Sequence, residues 1–199
     1  MKQKPQYLID RHGLKGRKVL MTLGRMDARE RQKGFDEMID LMPEMLTVDP
    51  TLYYLMAGNG DDKPRLEAKV RQAGLTEHIG FAGRVSEEEK ADYYRLADVY
   101  TMAGRQEGFG FVFIEALACG TPCVGSILDG SRYALLHGKL GELANPDDPQ
   151  TIKDAIFKAM EKPRQIPQEL DYFSYENFVK RLDAILRPYA PEKSLEAKF

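Results

Sequence analysis

Short apolar runs, most of them stopping at or beside a glycine, alternate with helix-patterned segments along this chain. That alternation constrains the fold more than any other feature. The runs occupy residues 18–24, 52–57, 79–82, 99–102 and 122–125, with 140–143 as a sixth. Each has the length of a buried strand. Between them, Phe35, Met38, Ile39, Met42 and Leu46 fall at helical spacing over residues 35–47, with Pro43 as a kink point. Residues 62–73 form a charged amphipathic segment ending at Gly74. Ser86 followed by three glutamates reads as an N-cap and acidic first turn for a helix to residue 96. A short helix is expected over 131–137, another helix over 147–161, and a last one behind Ser174, reaching residue 186. Strands alternating with helices require a parallel sheet covered on both faces. The expectation is an α/β, doubly wound, Rossmann-like sheet of about six strands. Residues 1–17 read as a lead-in or linker, 18–187 as the domain and 188–199 as a tail.

Composition sets limits on function. A formal net charge of -2 gives no argument for nucleic acid, and 43% hydrophobic with 30% charged residues fits a globular chain. No apolar run approaches the ~18–20 residues that cross a bilayer. The first residues lack the apolar stretch of a signal peptide. A cytoplasmic location is therefore expected. Cys119 and Cys123 flank Gly-Thr-Pro and read as small buried residues rather than a disulfide or a metal pair. His12, His78 and His137 read as structural or exposed.

Ligands of such sheets bind at the carboxyl ends of the strands. Four loops there carry suitable chemistry: 24–34, 58–61, 83–85 and 104–110. The 24–34 loop holds Arg25, Arg29, Arg31 and Lys33 between Gly24 and Gly34. Arg25 suits a bidentate pair with a phosphate, and Lys33 supplies a point charge. Arg29 and Arg31 read as surface charges. Taken alone, the loop reads equally as a solvated charged turn, because Asp27 and Glu30 accompany the cations. Gly58-Asn59-Gly60 lacks the third glycine of a dinucleotide fingerprint and precedes Asp61-Asp62, so it reads as a turn beside the cleft. Gly83-Arg84-Val85 alone is an ordinary turn before the Ser86 cap.

The fourth loop leads into Glu107-Gly-Phe-Gly-Phe-Val-Phe-Ile-Glu115. From Gly110 to Cys119 the segment is apolar on nearly every face, which describes a buried helix. Its N-terminus carries free N–H groups and partial positive charge suited to an anion. Gly108 and Gly110 admit a close ligand. Glu115 is the one charge on that helix and needs a partner, either a buried arginine or ligand hydroxyls. Two carboxylates also fit a glycoside hydrolase, but the cations nearby argue for an anionic ligand. Phe109 and Phe111 either pack in the core or line a sugar pocket. Core is the default for Phe111 and Phe113.

The Glu-x7-Glu spacing in EGFGFVFIEALACGTPCV resembles the signature of family 4 retaining glycosyltransferases of the GT-B fold. GRMDARERQKG, FAGRV and GSRYALLHGKLGELANP resemble, in order, that family's phosphate-binding stretch, base-contacting loop and post-glutamate segment. The resemblance covers roughly residues 19–160 and fits the C-terminal, donor-binding half of such enzymes. It implies a hexosyl transfer from a UDP- or GDP-sugar to a glycan or lipid-linked acceptor. It also implies a separate N-terminal acceptor-binding half, through which any membrane contact would come, so that this chain alone would transfer sugar poorly. By this resemblance Glu115 binds the donor ribose and Glu107 the transferred sugar. Gly24, Arg25, Lys33 and the backbone of Gly108, Phe109, Gly110, Phe111 and Val112 hold the diphosphate and sugar. Arg84 and Val85 meet the base. Arg25 and Lys33 would stabilise the leaving diphosphate in place of a metal, since no Asp-x-Asp motif stands in a suitable loop. No cofactor is implied beyond the donor itself. A binding module without catalysis, or an epimerase of the same fold, fits the same residues.

Overall fold

The first strand, β1 (Lys18–Leu23), lies in the middle of the sheet because it is apolar along almost its whole length and buried on both faces. The structure is a computed structural model and describes residues 3–189. Around β1 the chain adds β2 (Leu52–Ala57), β3 (Ile79–Gly83), β4 (Val99–Thr101), β5 (Cys123–Ser126) and β6 (Glu142–Ala144). All pairings are parallel and the order is β3-β2-β1-β4-β5-β6. This is the doubly wound Rossmann-like order, with its topological switch point between β1 and β4.

Helices α1 (Gln6–Arg11), α2 (Phe35–Val48), α3 (Lys63–Gln72), α4 (Glu87–Leu96), α5 (Phe111–Ala118), α6 (Ser131–Ala134) and α7 (Pro149–Met160) complete the larger of two compact units, which ends at Pro167. One face of the sheet buries Leu20, Tyr54, Met56, Val99 and Val124 with apolar residues of α2, α3 and α7. On the other face, Tyr100 of β4 meets Tyr94 of α4 and Phe113 of α5 edge-on, at 5.5 and 5.3 Å between ring centres. A buried chain of hydroxyls crosses the sheet. Tyr54 on β2 donates to Thr22 Oγ1 on β1 at 2.8 Å, and Thr22 donates to the Thr101 carbonyl on β4 at 2.5 Å.

Local signals explain the helix boundaries. The Ser86 hydroxyl accepts from the Glu89 N–H, and Asp148 caps α7 in the same way through Gln150. Pro43 stands within α2, which runs unbroken to Val48. The lead-in holds a helix that the sequence reading did not place. It contains α1, with Leu8 fully buried, and it is tied to α4 by Arg11–Glu89 and Tyr7–Asp92 contacts. Pro5 and Gly13 bracket that helix rather than breaking up the segment.

The smaller unit begins at Gln168 and contains α8 (Tyr175–Leu186), capped by Ser174. On α8, Phe178, Val179, Leu182, Ile185 and Leu186 are each more than 40% exposed. No α8 residue is buried. Residues 190–199 of the expected tail lie outside the described residues. No described helix is long and apolar enough to cross a membrane.

Candidate functional site

The strands β1 and β4 part at their carboxyl ends, and the loops that leave them form the two lips of a cavity of about 540 Å³. Gly24, Arg25 and Lys33 line it from the β1 side, and Glu107 and Val112 from the β4 side. Arg84 and Val85 close a third edge after β3. Seven of the residues singled out from sequence therefore meet in one place. Gly58 and Asn59, read from sequence as a turn beside the cleft, join them, as do Leu23 and Met102, which sequence reasoning had not singled out. The position of Leu23 and Met102 at the carboxyl ends of β1 and β4 is the signal that would have found them.

The β1 lip is held by charge. Arg25 Nη2 meets Glu30 Oε1 at 2.5 Å, and Lys33 Nζ meets Glu30 Oε2 at 3.2 Å. Glu30 thus bridges the two cations. Lys33 also faces Glu107 Oε2 across the cleft at 4.0 Å. Asp61 and Asp62, whose charges would repel a pyrophosphate, are turned elsewhere. Asp61 accepts from the Ala28 N–H, while Asp62 is buried against Arg31 and Arg65. The nearby Asp36 carboxyl is drawn in two directions. Burial would raise it, but hydrogen bonds from Arg65 and Lys69 outweigh burial and bring it down to about 2.

The β4 lip is held by backbone contacts together with the Arg105 side chain, which reaches Glu37, Asp147 and the Pro146 carbonyl. The Arg105 N–H donates to the Gln32 carbonyl, which joins the two lips, and the Gly130 N–H donates to the Glu107 carbonyl. Asp129, which sequence reasoning missed, accepts from the Glu107 N–H at 3.1 Å and from Ser131. Helix α5 then starts at Gly110, whose φ of 95° is left-handed, and no side chain caps it. An added Cβ at Gly24 would meet only ordinary contacts, and at Gly108 nothing within 4 Å. Neither glycine is demanded by the chain's own packing.

One expectation about α5 is corrected, and one of the two partners left open for Glu115 drops out among the described residues. The helix is not buried all round: Phe113, Ala116 and Leu117 are buried, while Phe111 is 71% exposed. Phe111 is the first helical residue, where no neighbouring element covers it, and its ring leans on Phe109 at 5.2 Å. Glu115 pairs with no arginine. Its Oε1 accepts from Lys90 Nζ at 3.2 Å and its Oε2 from the Tyr94 hydroxyl at 2.7 Å. Glu115 does not line the cavity, but it lies one turn beyond Val112 on the same helix face. Gly108, Phe109, Gly110 and Phe111 are not among the lining residues either. Cys123 is buried and Cys119 half-buried, and burial pushes both thiols up. Among the described residues, no group of three or more His, Cys, Asp or Glu side chains is arranged to hold a metal.

Solved structures share this architecture. Alr3699/HepE of Anabaena, solved with UDP and glucose, superposes at a TM-score of 0.73 over 92% of this chain and 51% of its own, at 20% identity. The C-terminal domain of a glycosyl transferase group 1 family protein (LpcC) from Francisella tularensis superposes at 0.70, over 88% of this chain and 94% of that domain, at 25% identity. Among curated proteins, a phosphatidyl-myo-inositol mannosyltransferase of Mycobacterium leprae is 36% identical over 70% of this chain and 36% of its own length. A GDP-mannose-dependent alpha-(1-6)-phosphatidylinositol monomannoside mannosyltransferase of Mycolicibacterium smegmatis is 31% identical over 78% of this chain and 42% of its own. The chain thus spans well under half the length of these two relatives. The family described as glycosyl transferases group 1 matches residues 8–177, and the chain belongs to it.

Proposed function

We propose that this chain is the donor-binding half of a retaining glycosyltransferase that takes a hexosyl group from a UDP- or GDP-sugar to a glycan or lipid-linked acceptor. The observation that carries the reading is the convergence of Arg25, Lys33, Arg84, Val85, Glu107 and Val112 on one cavity at the switch point of the sheet. Breaking the bond from the anomeric carbon to the diphosphate builds negative charge on the leaving group. Arg25, Lys33 and the uncapped N-terminus of α5 are the groups that would stabilise that charge, without a metal. Glu107 would bind the transferred sugar, and Arg84 with Val85 would flank the base. Glu115 would accept from the ribose hydroxyls. Gly24 and Gly108 fit the same reading, because the space their missing side chains leave is open to a ligand.

Support for the donor comes from two sides. One relative is named for GDP-mannose, and one structural neighbour was solved with UDP and glucose. Support for a second half comes from the length of the relatives. Calorimetry of the chain with UDP and with GDP tests the reading. One of the two should bind, and Lys33→Ala and Glu115→Ala should each weaken it by roughly ten- to a hundredfold, as for hydrogen bonds to a charged group. Binding of neither, or binding indifferent to both substitutions, would sink it.

A further inference from the structure

We propose that Tyr94 and Lys90 are positioning residues that hold the Glu115 carboxylate in place for the ribose of a nucleoside diphosphate, an inference that rests on the proposed role of Glu115. Each carboxylate oxygen already accepts one hydrogen bond from α4: Oε2 from Tyr94 at 2.7 Å and Oε1 from Lys90 at 3.2 Å. A carboxylate offers about four acceptor directions, so two remain for the vicinal hydroxyls of a ribose. A free glutamate side chain would have to be ordered when the ligand binds. One tethered at both oxygens has lost that freedom beforehand, and the ligand binds more tightly for it.

Tyr94 is itself fixed from several sides. It is 1% exposed, and its ring meets Tyr100, which in turn meets Phe113 on the same helix as Glu115. Its backbone carbonyl accepts from the Thr121 hydroxyl at 2.6 Å. Burial holds the phenol protonated well above its ordinary range, so the hydroxyl donates and Glu115 accepts. Lys90 reaches Glu115 from the same helix and is anchored by Glu87 at 2.7 Å. The arrangement places a rigid donor and a cation behind the carboxylate, on the one charged residue of an otherwise apolar helix.

A merely structural tether would satisfy Glu115 without affecting ribose recognition, so the test reads ribose recognition. The full chain is titrated with UDP and GDP and with their 2′,3′-dideoxy counterparts, as wild type, Tyr94→Phe and Lys90→Met. Wild type should prefer the ribose form of its nucleotide by about tenfold or more. Tyr94→Phe should remove most of that preference, by about fivefold, while leaving the affinity for the dideoxy form unchanged. Lys90→Met carries the same readout if the buried substitution prevents folding. Equal weakening of both forms, or an intact preference, overturns the proposal and leaves the ribose reading of Glu115 standing. A wild type that does not distinguish the two forms, or binds neither nucleotide, removes that reading and the positioning role with it.

Discussion

The two lips of the cleft are built in opposite ways. The β1 lip is an eleven-residue excursion whose functional groups are side chains held by charge, and the Arg25 side chain is 72% exposed. The β4 lip is fixed by close backbone approaches, with the Arg105 side chain tied to Glu37 and Asp147. A Cβ at Gly104 would stand 2.3 Å from the Gln32 carbonyl oxygen and 2.9 Å from Lys33 backbone. Under the proposed function, the first lip would bring side-chain charges to an anion, and the second would present N–H groups from a fixed backbone, as preorganised stabilisation of charge requires.

The largest way to break this contrast is Gly104→Ala. The new methyl meets backbone, which cannot swing aside, so a loss of roughly 3 kcal/mol is expected, read as a fall of roughly 6–12 °C in Tm by calorimetry. A fall under about 2 °C would mean that the β4 lip is as yielding as its partner.

A second effect lies behind the β1 lip and appears only in acid. The Asp36 carboxyl is depressed to about 2 in the fold against an ordinary 3.8, so the stability it brings is complete above about pH 4 and is lost as pH falls through about 2. Its partners Arg65 and Lys69 join α2 to α3 at 2.6 and 2.9 Å. Asp36→Asn should flatten the stability curve between about pH 4 and pH 2, followed by chemical denaturation at each pH. An unchanged slope would show that other carboxylates govern acid unfolding.

The smallest effect should come from Arg25→Ala, which should leave stability within about 0.5 kcal/mol of wild type, because an ion pair with so exposed a partner is nearly neutral energetically. A larger loss would show that the Glu30 bridge is a structural element of the β1 lip rather than a loose arrangement of charges.

The same contrast explains what was legible in the sequence. The parallel sheet of about six strands followed from alternation, and the Ser86 and Ser174 caps were read correctly because capping is local. Of the cavity-lining residues, Arg25, Lys33 and Glu107 were read from loops that leave strand ends, whereas Arg84, Val85 and Val112 came from the family resemblance. The misses depended on distant partners. Helix α1 exists because Leu8 is buried and Arg11 and Tyr7 reach residues about 80 positions away. Phe111 reads as core in an apolar run, since a run does not say which face a neighbouring element will cover. Glu115 announced that it needed a partner, but Tyr94 and Lys90 come from another helix, and no spacing rule connects them to it. Glu30 looked like a stray acid among cations, and only the fold shows it bridging two of them.

The hydroxyl chain through Tyr54, Thr22 and Thr101 has a consequence of a different kind. A parallel sheet of apolar strands has little to tell one alignment from the next but one, since a slide of two residues returns similar side chains to the same face. Here a slide of β2 on β1 would strand the Tyr54 phenol in a dry interior, at about 1–3 kcal/mol. Tyr54 and Thr22 act as a checksum on the alignment of β2 with β1, two of the strands whose ends must coincide for the cleft to exist at all.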